Sequence, residues 1–153
     1  MLRLILALLL TFGLIDSGIA QHIFLGERLP KLKSLKWLGG HEPVATQRAR
    51  IEFVDIRNIA CRESIELLRK EIATTESNSQ LVIVAHTDET EATRLFGKYL
   101  SPTFSVALDP HGDIFSIYDV KFVPFEIITD NRQRVIWFGN PLKPNQPMIE
   151  ENR

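Results

Sequence analysis

The chain holds one cysteine, and the residues around it are those whose types and spacing could do chemistry. Cys61 stands where two patterns meet in RIEFVDIRNIACRESIELLRKEI, residues 50–72. From Ile51 to Ile56 apolar residues fill both parities, Ile51 and Phe53 on one, Val54 and Ile56 on the other, as in a strand covered on both faces. Glu52 shares the parity of Val54 and Ile56. Cys61, Ile65, Leu68 and Ile72 then recur at steps of four, three and four, one stripe of a helix that begins near Asn58. The thiol is therefore expected in the first helical turn, facing inward.

A thiolate there could attack a disulfide, but release of the mixed disulfide needs a second thiol, which this chain lacks. Two forces oppose each other at Cys61. Backbone N–H groups and the helix dipole favour the thiolate, whereas burial on an apolar stripe raises its pKa. Three fates stay open at this stage: buried and inert, reactive toward small thiols, or paired between chains. Glu52, if covered, should have its pKa raised and could exchange a proton with Cys61; at an open strand edge it would simply meet solvent. Asn58 reads as a helix N-cap whose side-chain oxygen accepts from the N–H of Cys61, worth about 1 kcal/mol. Arg57 beside it reads as solvated, with the capacity to lower the thiol's pKa or attract an anion. His22, His41, His86 and His111 have no metal-ligand spacing, so neither a metal nor a cofactor is expected.

These residues need elements to position them. With 153 residues, 44% hydrophobic content and a net charge of −1, the chain suits one domain with a single core, and nothing in that balance suggests nucleic acid. Residues 1–20 read as a secretory signal cleaved after Ala20: basic Arg3, an apolar run from Leu4 to Ile15, then Gly18 and Ala20. The run is short of the roughly 20 residues that span a bilayer, so membrane contact is expected only through an uncleaved signal segment. Export places the domain in the periplasm or outside the cell, where disulfides persist.

Short extended pieces are expected over 21–49, with Trp37 in core or edge packing. After the helix, which should run to about Thr75, a polar turn leads to a buried strand, Gln80 to Ala85. A helix capped by Thr87 or Asp88 should reach Leu100, with Ala92, Leu95 and Phe96 on one side. An extended piece, Phe104 to Asp109, and a short helix, Ile114 to Tyr118, follow. A hairpin closes the pattern, Phe125 to Thr129 and Val135 to Phe138 around Asp130-Asn131-Arg132-Gln133. Alternating strands and helices imply parallel pairing with right-handed crossovers, ahead of an antiparallel edge.

FVDIRNIACRE resembles the segment around the dithiol motif of the TlpA-like exported thiol-disulfide oxidoreductases, with Asn58 where that family has its first cysteine, Cys61 on the second, and Glu52 on its buried acid. LKWLGG, SVALD, IYDVKFVP and IITDNRQRVIWFGNP are similar to further family fragments in the same order, from about Leu29 to Pro141. The resemblance implies an α/β, thioredoxin-like three-layer fold over 21–141, a mixed central sheet flanked by helices. It also implies a cis peptide between Val123 and Pro124 opposite Cys61, forming a groove that takes an extended substrate as an added strand. Two departures stand out. The hairpin turn lacks its usual glycine, and the tail 142–153 carries no helical pattern, which leaves one sheet face partly open. A peroxiredoxin-type site would want threonine at Asn58. Two functions compete: monothiol chemistry at Cys61 with Glu52 as proton acceptor, toward an exported protein or peptide partner or a low-molecular thiol, and a redox-silent binding or scaffolding module.

Overall fold

A computed structural model of the chain describes residues 22–32, 35–74 and 79–145. The expected signal segment with its cleavage after Ala20, the centre of the polar turn at Ser77 and the end of the tail lie outside the described residues, as does the side chain of Ile72.

The central strand is β2, Arg48–Val54, followed by α1, Ile59–Thr74. β3 spans Ser79–Ala85, α2 Glu89–Phe96, β4 Phe104–Leu108 and α3 Asp113–Ile117. The hairpin consists of β5, Phe125–Thr129, and β6, Val135–Gly139, and a two-residue strand β1, Lys36–Trp37, lies at the far edge. The six strands run in the order β1-β4-β3-β2-β5-β6. β2, β3 and β4 are parallel, while β1, β5 and β6 pair antiparallel. This is the mixed sheet that the sequence pattern implied.

Local chemistry sets the element ends. Asp88 caps α2, its carboxylate accepting from the N–H of Glu91 at 2.9 Å, and Glu89 and Glu91 in the first turn suit the positive end of the helix. The α-helix stops at Phe96, short of the expected Leu100, and Gly97–Tyr99 tighten into a 3-10 turn. Buried Asp109 fixes α3 by accepting from the N–H groups of Ile114 and Phe115 at 3.0 and 3.1 Å. In the hairpin turn Asp130 accepts from the N–H groups of Arg132 and Arg134, each at 2.8 Å. Gln133 takes the left-handed conformation, φ +62°, that a glycine would adopt there without strain. The segment before β1 lies along the start of β6: Gly26 donates to the carbonyl of Val135 at 2.8 Å, Val135 to that of Glu27 at 2.9 Å, and Leu29 to that of Gln133 at 2.8 Å.

Strand alternation divides the core in two. Val54, Leu81, Ile83 and Val106 face Cys61, Ile65 and Leu68 of α1 and Ala92 and Phe96 of α2. Ile51, Phe53, Val82 and Val84 face the other way, onto Ile114 of α3 and Tyr118 just beyond it. Phe53 is fully buried, with its ring edge-on to Phe115 at 5.3 Å and tilted against Tyr118 and Phe125. Phe53→Ala should therefore cost about 3–5 kcal/mol, read as a lower urea midpoint at unchanged slope.

Candidate functional site

From Ile51 to Val54 both parities of β2 are buried because helices cover both sheet faces, so a charged residue there loses water whichever way it points. Glu52 points toward α1. It has 0% exposure, and neither carboxyl oxygen has a hydrogen-bond partner among the described residues. Its register neighbours are Ile83 on β3 and Glu126 on β5. The solvent-edge alternative for Glu52 is thereby excluded. Ser64 of α1, also buried, turns its hydroxyl toward Glu52, but that hydroxyl has no hydrogen-bond partner among the described residues. Burial pushes the Glu52 carboxyl up to about 8, helped by the charge of Glu126 and opposed by Ser64 and Arg50.

Cys61 is the only cysteine, its thiol is free, and it has 0% exposure in the first turn of α1. Of the two forces on it, burial wins. The thiol is pushed up to about 11, with the backbone of Asp55 opposing and the charges of Glu52 and Asp55 adding to the rise. At pH 7 about one molecule in ten thousand would carry the thiolate. Both Cys61 and Glu52 therefore hold their protons at neutral pH.

Asn58 caps α1, but not through the expected donor. Its side-chain oxygen accepts at 2.9 Å from the N–H of Ala60, one residue earlier than Cys61, so the amide meets the second rather than the third free donor of the helix. Arg57 is exposed and forks onto Asp55 at 3.0 and 2.6 Å, which commits its charge to that carboxylate. The Val123-Pro124 peptide is cis. Because Phe125 pairs with Phe53, residues 122–124 lie at the end of the sheet where β2 passes into α1. Val123 packs on the cluster that contains Cys61. The structure thus brings Glu52, Asn58, Cys61, Val123 and Pro124 to one end of one sheet face. Phe122 and Val123 have no backbone hydrogen-bond partner among the described residues, and Ile59 and Phe122 are exposed apolar side chains at the same end.

Sequence reasoning missed three participants: Arg50, Ser64 and Glu126. Glu126 is 1% exposed and takes two donors of Arg50, Nε at 2.5 Å and Nη2 at 3.2 Å, while Nη1 of Arg50 reaches Glu71 of α1 at 2.6 Å. Burial raises the Glu126 carboxyl, and Arg50 opposes the rise. The available signal was an ionisable residue inside each of two apolar runs, Arg50 in β2 and Glu126 in β5. Their pair forms the floor of a groove of about 570 Å³ walled by Leu67, Ile136, Trp137 and Leu142.

No family model matches this chain, and no curated protein matches it. Solved structures do. A thioredoxin-like protein from Porphyromonas gingivalis is 19% identical, with a TM-score of 0.57 over 69% of this chain and 76% of that one. A secreted disulfide oxidoreductase from Mycobacterium tuberculosis is 18% identical, TM-score 0.51, over 67% and 72%. A thiol peroxidase from Chromobacterium violaceum is 13% identical, TM-score 0.63, over 80% and 81%. Likeness at these identities speaks for the fold, which is the thioredoxin-like α/β fold that the ordered sequence fragments implied.

The raised carboxyl makes stability fall with rising pH. Below about 4.5 Glu52 is protonated folded and unfolded alike. Between about 4.5 and 8 the unfolded chain releases a proton that the folded chain keeps, so stability declines, and above 8 the loss is complete. The decline should amount to several kcal/mol, at most about 5. Urea titrations at pH 5 and 8 should show it, and Glu52→Gln should remove most of the difference.

Proposed function

We propose that this chain is an exported thioredoxin-fold binding module whose dithiol motif is degenerate, and that it recognises an extended segment of a partner protein at Val123 and Pro124. The observation that carries this reading is Cys61, fully buried and pushed up to about 11 by that burial, behind a capping amide at Asn58 where a nucleophile would have to stand. What remains at the surface is suited to recognition. The backbone of Phe122 and Val123, unpaired among the described residues, can add a strand, and Ile59, 73% exposed, and Phe122, 37% exposed, offer apolar contact at the same end of the sheet. In this role Asn58 holds the helix end, Pro124 shapes the groove, and Cys61 and Glu52 belong to the core. An N-terminal signal would deliver the domain to the periplasm or the cell exterior.

One observation favours a second reading. A carboxyl without partners next to a thiol is a costly arrangement that packing alone does not require. In monothiol chemistry Cys61, once deprotonated, would attack one sulfur of a partner disulfide, form the mixed disulfide and release the other sulfur as a thiolate. Glu52, in the minor ionised form that its raised pKa leaves at neutral pH, would take the Cys61 proton and hand it to the leaving thiolate.

Two measurements separate these readings. Cys61 in the folded protein should react with iodoacetamide at least about a hundredfold more slowly than in urea, since only exposed thiolate reacts. Equal rates would favour monothiol chemistry. Linear peptides selected on the folded domain should bind about tenfold more weakly or worse to Ile59→Asp and Phe122→Asp variants, and undiminished to Cys61→Ser. If no linear peptide is enriched, or if the two Asp variants bind as well as the parent, the binding reading fails.

A further inference from the structure

Glu52 and Glu126 are directly opposed across the antiparallel β2–β5 ladder, and both side chains turn to the α1 face, 0% and 1% exposed. Two buried carboxyls at that spacing repel if both ionise. One cation serves them. Arg50 lies two residues from Glu52 on the same face of β2, yet its fork is fully committed elsewhere. Nε and Nη2 go to Glu126, and Nη1 goes to Glu71. The remaining groups around Glu52 are Cys61 and Ser64 of α1 and the apolar Ile83 of β3, and none brings a positive charge.

We propose that Glu126 is a positioning residue for Glu52: by engaging two donors of Arg50 it keeps the guanidinium off its opposite number, so that the one proton the pair retains resides on Glu52, beside Cys61. Charge is thereby divided unequally between two carboxyls of equal burial. Glu126 is the ionised member, shielded by Arg50, and Glu52 is the neutral acid. Arg50 is the element that can be reassigned. If Glu126 loses its charge, Nε and Nη2 of Arg50 are released while Nη1 stays on Glu71, and Glu52 on the same face of β2 is the buried carboxyl they can turn to, which would then ionise. The consequence for Cys61 rests on the readings above, but the division of the proton does not, and it is read without thiol reagent or peptide.

The test is a ¹³C titration of the glutamate side-chain carboxyls in the folded, signal-free protein, comparing the parent with Glu126→Gln and Glu52→Gln. In Glu126→Gln the Glu52 midpoint should fall by about one pH unit or more, a tenfold gain in acidity. In Glu52→Gln the Glu126 midpoint should stay where it is, because in the parent Glu126 already titrates against a neutral neighbour. This asymmetry places the retained proton on Glu52, and a proton shared evenly, which would shift both midpoints alike, overturns the proposal. Loss of the repulsion by Glu126 alone would also lower the Glu52 midpoint in Glu126→Gln, so the part played by Arg50 is read in Glu126→Asp, which keeps the charge but shortens the reach to the guanidinium. In Glu126→Asp the Glu52 midpoint should fall in the same direction by less than in Glu126→Gln, and an unchanged midpoint there overturns the proposal.

Discussion

The structure depends on β2 being bonded on both sides and covered on both faces. Its ladder to β3 fixes the parallel half of the sheet, its ladder to β5 fixes the antiparallel half, and α1 leaves directly from its end. From Arg50 to Val54 a strand so placed meets little or no solvent, so each residue there must be apolar, paired or kept neutral. Ile51, Phe53 and Val54 meet the first condition and Arg50 the second. Glu52 meets neither of those, and keeping its proton is what reconciles a carboxyl with that position.

The same constraint accounts for Cys61. A thiol in the first turn of a helix has access to backbone donors that favour its anion, but α1 is pressed against the sheet through the stripe that carries Cys61, Ile65 and Leu68. Desolvation acts on the whole side chain, whereas the helix end acts only through oriented dipoles, and here desolvation prevails. Asn58 strengthens the outcome: its amide takes up a free N–H that would otherwise be available to an anion at the helix mouth.

Much of the fold was legible because it is written in short-range periodicity. Apolar residues on both parities gave β2 and β3, the four-three-four stripe gave α1, and the polar tetrad around Asn131 gave the hairpin; β3, α1 and the hairpin lie within a residue or two of their observed limits, while β2 begins at Arg48, three residues before its apolar run. The end of α2 was not, because Gly97 and the tightening turn after it act against a pattern of apolar positions that continues to Leu100. At the site, Cys61 and Glu52 could be placed by face, but the balance at the thiol could not be decided without the degree of burial. The Arg50–Glu126 pair was out of reach for a different reason. It depends on the register of two strands 76 residues apart, and no local period encodes which residues of separate strands stand opposite one another.

The strip of backbone from Gly26 to Leu29 that lies along the start of β6 has a consequence for how the molecule keeps to itself. β6 is the outermost strand on its side and carries the exposed Ile136, so a bare flank there would offer a template to a neighbour's strand. The carbonyl and N–H of Val135 are already engaged by Gly26 and Glu27, and Arg134 reaches back to the carbonyl of Gly26 at 3.0 Å. The hydrogen-bonding groups an incoming chain would use to begin zippering are occupied at the end where it would start. The domain thus carries its own guard against sheet-to-sheet aggregation, supplied by a backbone strip that only Leu29 ties into the core.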